Sequence, residues 1–133
     1  MTKLVYIAHP VGGDVQDNVK SILNILRELH FSDLDVIPFA PYLATLQYLK
    51  DDVPEEKKLG MFVNKLFFEK KIMDETWLAG PRISEGMAAE IRLCMANGIP
   101  VKCYNPNLQQ ELKKIQEEVE NGIRKRSKTN SLS

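Results

Sequence analysis

Ser84, Gly86 and Glu90 stand in the stretch "SEGMAAE" with the spacing Ser-x-Gly-x-x-x-Glu. If a helix begins with Ser84 as its N-cap, the serine hydroxyl satisfies one of the backbone N–H groups that a helix start leaves unpaired. Gly86 then falls in the first turn, where free N–H groups and the positive end of the helix dipole favour an anion or a polar ligand. A residue without a side chain lets such a ligand approach the backbone closely. Glu90 follows four positions later and shares a face with Gly86, so the gap left by the glycine is the space above that carboxylate. The core stripe of the helix is Met87, Ile91 and Cys94, and Glu90 lies roughly 60° from its centre by the 3.6-residue period. The carboxylate is therefore expected to border the core and to be partly desolvated, which suits a nucleophile or a general base. The alternative is a surface acid beside a packing glycine.

The elements that must position this stretch alternate in type. "KLVYIAH" is a short apolar run with β-branched and aromatic residues, suited to a strand covered on both faces. The turn-rich loop "PVGGDVQDN" follows. Val19, Ile22, Leu23, Leu26 and Leu29 then recur at helical spacing, with Asp14 or Asp17 as the cap. "LDVIPF" reads as a second strand ended by Pro38 and Pro41. A longer helix is expected over residues 51–71, with Pro54, Glu55 and Glu56 in its first turn and Leu59, Phe62, Val63, Leu66 and Met73 as its apolar stripe. "ETWLAG" and "IPVKCY" are the third and fourth strands. Between them lies the helix from Glu85 to Asn97, stopped by Gly98. Leu108, Leu112, Ile115 and Val119 mark a last amphipathic helix.

This alternation predicts an α/β, flavodoxin- or Rossmann-like single domain: a parallel sheet of four to five strands with helices on both faces. In such sheets ligands bind beyond the carboxyl ends of the strands. "HPVGGD" after the first strand and "GPRIS" after the third should therefore face each other across a cleft. Phe39 and Tyr42, after the second strand, could stack on a base there or pack as core. His9 could give a proton near neutral pH, or only hydrogen-bond its loop.

The 133 residues, 44% hydrophobic and 27% charged, fit one ordinary globular domain. No apolar run reaches the roughly 18 residues that cross a bilayer, and the start of the chain does not read as a secretory signal. Cys94 and Cys103 are expected to be reduced core thiols of a cytoplasmic protein, with no disulfide framework and no metal cluster. Eighteen basic and eighteen acidic residues balance over the chain, but Arg124, Lys125, Arg126 and Lys128 gather at its end. Residues 1–122, read as the domain, then carry a net charge of −4, which does not favour nucleic-acid binding. Residues 123–133 read as a basic, disordered tail.

With the "YIAHPVGG" loop, the Ser-x-Gly-x-x-x-Glu motif resembles the nucleoside 2-deoxyribosyltransferase-like superfamily, which holds the deoxyribosyltransferases and the deoxynucleoside 5′-monophosphate N-glycosidases. The resemblance spans about residues 3–104 in the same order of elements. It implies that Glu90 attacks the anomeric carbon and forms a covalent glycosyl-enzyme ester. It further implies that Ser84 and Gly86 hold the 5′ end of the sugar, and that His9, Pro10, Gly12 and Gly13 line the same pocket. The substrate would be a nucleoside or nucleotide, no cofactor would be needed, and a homodimer or larger homo-oligomer would complete the pocket.

Two positions depart from the family's pattern. The monophosphate N-glycosidases carry a phosphate-gripping arginine in the first loop, where Gly12 stands here. Arg82 could supply that charge from the facing loop, or be a solvated turn residue. The family also has an aspartate on the helix before the third strand; in this sequence that place falls on Leu66, with Asn64 and Glu69 nearby. Asp74 matches an acid that opens the third strand, and is expected either to assist catalysis or to cap the strand end. A site that lost this acid could instead serve a protein that binds or sequesters a nucleotide without chemistry.

Overall fold

The computed structural model describes residues 1–132, with side chains placed through residue 126. Four strands, β1 (Lys3–Ala8), β2 (Val36–Phe39), β3 (Glu75–Leu78) and β4 (Val101–Cys103), form one parallel sheet in the order β2-β1-β3-β4. The helices are α1 (Val15–Ser32), α2 (Tyr42–Thr45), α3 (Pro54–Glu69), α4 (Glu85–Asn97) and α5 (Gln109–Leu132). Fold class and element order meet the expectation. β1 and β3, the central strands, lead into the two loops that flank the point where the strand order reverses, where this architecture places its ligands.

The pleat divides the core. Val5 and Ile7 of β1 pack with Val36, Ala79 and Leu29 of α1 on one face. Tyr6 and Ala8 turn the other way, against Phe68 of α3, Met87, Ile91 and Cys94 of α4, and Leu112 and Ile115 of α5. The helices thus cover both faces. Asp14 caps α1 by accepting from the Asp17 amide at 3.1 Å, and Gly98 ends α4 in the left-handed conformation at φ 70°.

Two local readings are corrected. Pro38 does not end β2 but lies within it, paired with Val5. β2 is an edge strand, which tolerates a residue lacking a backbone donor. The helix expected over 51–71 is shorter, because its N-cap is Val53 and Pro54 starts it, while α2 is an extra turn in the connection before it. Along the backbone α5 continues past residue 122, the boundary drawn from the sequence, to Leu132. Past Gly122 the stretch Ile123, Arg124, Lys125, Arg126 carries no helix breaker and suits a continuing helix. Among the described residues no helix is long and apolar enough to cross a membrane.

Candidate functional site

The loops after β1 and β3 meet as expected, and a glycine sets how closely. Gly80 adopts φ +85°, and a Cβ there would lie 2.8 Å from Pro10 Cδ and 3.0 Å from His9 Nε2. Only glycine permits this backbone and this contact. Asn105, just past β4, donates from Nδ2 to the Gly80 carbonyl at 2.9 Å and ties the second loop down. Beyond these loops, at the carboxyl end of the sheet, a cavity of about 550 Å³ opens, bounded also by α2, α3 and the start of α4. That volume accommodates a small organic ligand.

Helix α4 begins as its sequence requires. Ser84 Oγ accepts from the Met87 amide at 3.2 Å, and the Ser84 amide reaches Met87 Sδ at 3.5 Å. Gly86 is exposed and borders the cavity. A Cβ at Gly86 would meet only Ser84 Oγ, at 3.9 Å, so the protein's own packing does not demand a glycine. One turn along the helix, Glu90 lies in the cavity wall.

The carboxylate of Glu90 is held from β1 and α3. Tyr6 Oη donates to Glu90 Oε2. Asn64 Nδ2 donates to the same oxygen at 3.0 Å and to Tyr6 Oη at 2.8 Å. Both bonds fall on Oε2, and both donors are uncharged. Burial therefore dominates: it pushes the Glu90 carboxyl up to about 7, against the opposing pull of the Tyr6 and Asn64 hydrogen bonds. Burial and the adjacent Glu90 charge likewise drive the Tyr6 phenol well above its usual range. Asn64 Oδ1 is buried without a partner in the protein, a costly state that an entering donor would relieve.

His9, Gly12, Tyr42, Arg82, Ser84, Gly86 and Glu90 all border this cavity. Of these, His9 is buried with both ring nitrogens engaged, Nδ1 at 2.7 Å from the Pro10 carbonyl and Nε2 at 2.9 Å from Ser21 Oγ. Tyr42 donates its hydroxyl to the Ile7 carbonyl at 2.6 Å, leaving its ring at the cavity. Four expected site residues lie elsewhere. Pro10 is fully buried under Gly80. Gly13, at φ +88°, is exposed and borders a separate depression beside Asp14. Phe39 packs edge-on against Tyr6, ring centroids 5.8 Å apart, and supports the site from behind. Asp74 sits at the amino end of the sheet, where its Oδ2 accepts from the Leu4 amide at 2.8 Å. That contact is the strand-capping one of the two roles its position offered.

Sequence reasoning passed over Tyr6 and set Asn64 aside. The available signal was weak. A tyrosine in an otherwise aliphatic buried strand needs a partner for its hydroxyl, and an asparagine on the inner side of α3 needs one for its amide. Asp51, also in the cavity wall, was read only as the start of a helix; its Oδ2 lies 3.7 Å from where a Gly12 Cβ would be.

The family described as "Domain of unknown function (DUF7768)" matches residues 3–104. The chain belongs to that family. The matched span opens with the first residue of β1 and closes just past β4, so it contains every residue that lines the cavity, while Asn105 and α5 fall outside it. No curated protein and no solved structure matches the chain. Chemically, a desolvated carboxylate, steadied on one oxygen and bordering a cavity of ligand size, is equipped to attack an electrophilic carbon or take up a proton.

Proposed function

We propose that this chain cleaves or transfers the N-glycosidic bond of a nucleoside or nucleotide through a glycosyl ester on Glu90, as an enzyme of the nucleoside 2-deoxyribosyltransferase-like group. The observation that carries the reading is the state of Glu90: withdrawn from water, held on Oε2 by Tyr6 and Asn64, and bordering the cavity directly beneath Gly86. Oε1 accepts neither bond and is the oxygen to attack C1′. The bond to C1′ forms as the C1′–N bond breaks, with the electron pair leaving on the base. Water or an acceptor nucleophile then displaces Glu90 from C1′ and restores the carboxylate, with retention overall. A carboxyl poised near 7 is more basic than an exposed one, hence a better nucleophile once ionised. Ser84 and Gly86 at the start of α4 would receive the 5′ end of the sugar, and Tyr42 would flank it.

The reaction needs no metal or redox cofactor, and Cys94 and Cys103, both free, suit the reducing cytoplasm. The same reading includes a homodimer: Leu59, Phe62 and Leu66 leave an exposed apolar stripe on α3, next to the cavity-lining Gly60 and Met61. Light scattering should then give twice the 15.2 kDa of one chain. That the α3 partner of Glu90 is Asn64, an amide and not an acid, favours one second reading, a protein that binds a nucleotide without turning it over.

Incubation with a panel of nucleosides and nucleotides, with free base measured by chromatography, tests both. Base release that disappears in Glu90→Gln supports the enzyme. Tight binding without turnover, unchanged in that variant, supports sequestration.

A further inference from the structure

Resting on the glycosyl-transfer reading, we infer that the substrate is a cationic N-glycoside, a ribose or deoxyribose joined to a positively charged ring nitrogen, as in a pyridinium or an N7-alkylated purine nucleoside. An uncharged purine or pyrimidine departs as an anion unless a proton reaches it, and a positioned acid typically supplies 10²–10⁴-fold in rate. A base that is already a cation leaves neutral and needs no proton.

The side chains around Glu90 are those of the second case. Tyr6 and Asn64 bond to Oε2 and so stand on the nucleophile's side of C1′, whereas the base departs in line on the opposite side. His9 has no proton to give. The Pro10 carbonyl can only accept, so Nδ1 carries the hydrogen, and Nε2 accepts from the Ser21 hydroxyl. Burial also lowers the His9 pKa, in keeping with a neutral ring. Of the remaining acids in the wall, Glu56 accepts from the Lys50 amide at 3.2 Å and Glu85 is exposed on the outer start of α4. Asp51 is left, and its carboxylate lies against Gly12. The wall also holds Lys50, Lys57, Lys65 and Arg82, but against Gly12 the near charge is the Asp51 carboxylate, and there it attracts a cationic ring.

In the first step a Glu90 oxygen bonds to C1′ while the C1′–N⁺ bond breaks. The electron pair stays on the ring nitrogen, cancels its charge, and the neutral base leaves. Water then attacks C1′, the ester C1′–O bond breaks, Glu90 is restored as carboxylate, and the water's proton passes to solvent. One cationic nucleoside and one water give one base, one free sugar and one proton.

The test compares nicotinamide riboside and its 2′-deoxy counterpart with inosine, adenosine and cytidine and their 2′-deoxy counterparts. Base release is measured by chromatography and proton release in weak buffer. The expected result is a kcat/KM about 100-fold higher for the pyridinium nucleosides, with one proton released per base. Asp51→Asn should raise KM for the pyridinium probe about tenfold and leave kcat nearly unchanged. Uncharged nucleosides cleaved within tenfold of the cationic ones would overturn the inference and leave the glycosidase reading standing, as would uncharged turnover that collapses in Asp51→Asn. No base release from any probe would remove both.

Discussion

Two glutamates are drawn out of water in this protein, and they end at opposite extremes. Glu75, the first residue of β3, receives Lys3 Nζ at 2.5 Å, Lys102 Nζ at 3.0 Å and Trp77 Nε1 at 3.0 Å. Burial alone would raise its carboxyl, but these hydrogen bonds and charges outweigh it and hold the group at about 2. Glu90, half-buried in the cavity wall, has two neutral donors and stands at about 7. Burial raises both carboxyls, and the charged partners of Glu75 reverse its effect there. Glu75 gathers cations from β1 and β4 onto β3 and so fastens the sheet; Glu90 is left uncompensated, and that is how a carboxylate keeps its reactivity at neutral pH.

The largest effect should come from exchanging each acid for its amide. On the proposed mechanism Glu90→Gln should lose at least about 10³-fold in base release, since it removes the proposed nucleophile. Its fold should be equal to or firmer than the parent at neutral pH. The sign follows from linkage: in the folded state Glu90 keeps its proton up to about 7, whereas the unfolded chain loses it near 4.5. Stability therefore falls as pH rises between those values, by on the order of 3 kcal/mol, and the variant removes that slope. Glu75→Gln should do the reverse, leaving kcat intact and costing on the order of 2 kcal/mol, after discounting for the half-exposed lysines. Glu75 contributes fully above about 4.5, and its contribution drains away as pH falls toward about 2. Urea unfolding across a pH series separates the two; equal slopes for parent and Glu90→Gln would break the contrast.

How much of this could be read from the sequence follows the same division. The alternation of apolar runs and helical stripes exposed the sheet, the facing loops, the Ser84 cap and the Gly98 stop, because each depends on local spacing. The placement of Glu90 at the edge of the Met87, Ile91, Cys94 stripe was legible for the same reason. Its partners were not. Tyr6 and Asn64 lie 84 and 26 positions from it, and their meeting depends on sheet register and on how α3 is rotated against α4. Spacing along the chain carries neither quantity. Asp74 and Phe39 stayed open between two readings for a related reason: a carboxylate at a strand start and an aromatic at a strand end look alike whether they face the ligand or the scaffold.

A smaller effect is expected from Tyr6→Phe, which sharpens the account of Glu90 by removing one donor. Turnover should fall about 10- to 100-fold, since Oε2 loses its firmer anchor and Asn64 remains. The Tyr6 hydrogen bond lowers the Glu90 pKa, so its loss should move the acidic limb of the pH–rate profile to higher pH. A profile that keeps its midpoint would show that Tyr6 only packs against Phe39, Tyr42 and Phe68.

The smallest effect separates site from scaffold through two glycines. At Gly80 an added Cβ meets Pro10 and His9 at 2.8 and 3.0 Å on a left-handed backbone, so Gly80→Ala should destabilise by about 1–3 kcal/mol and shift the first loop. At Gly86 the nearest atom of the protein is 3.9 Å away, and the position lies in a helix, where alanine is favoured over glycine. Gly86→Ala should therefore raise stability by about 0.5–1 kcal/mol. Its methyl group would nevertheless stand at the cavity wall beside Glu90, where the proposed mechanism seats the sugar. KM should rise about tenfold while kcat changes less, because ground state and transition state are crowded alike. If Gly86→Ala binds and turns over substrate as the parent does, the sugar does not lie over the first turn of α4, and the cavity must be entered from the α2–α3 side.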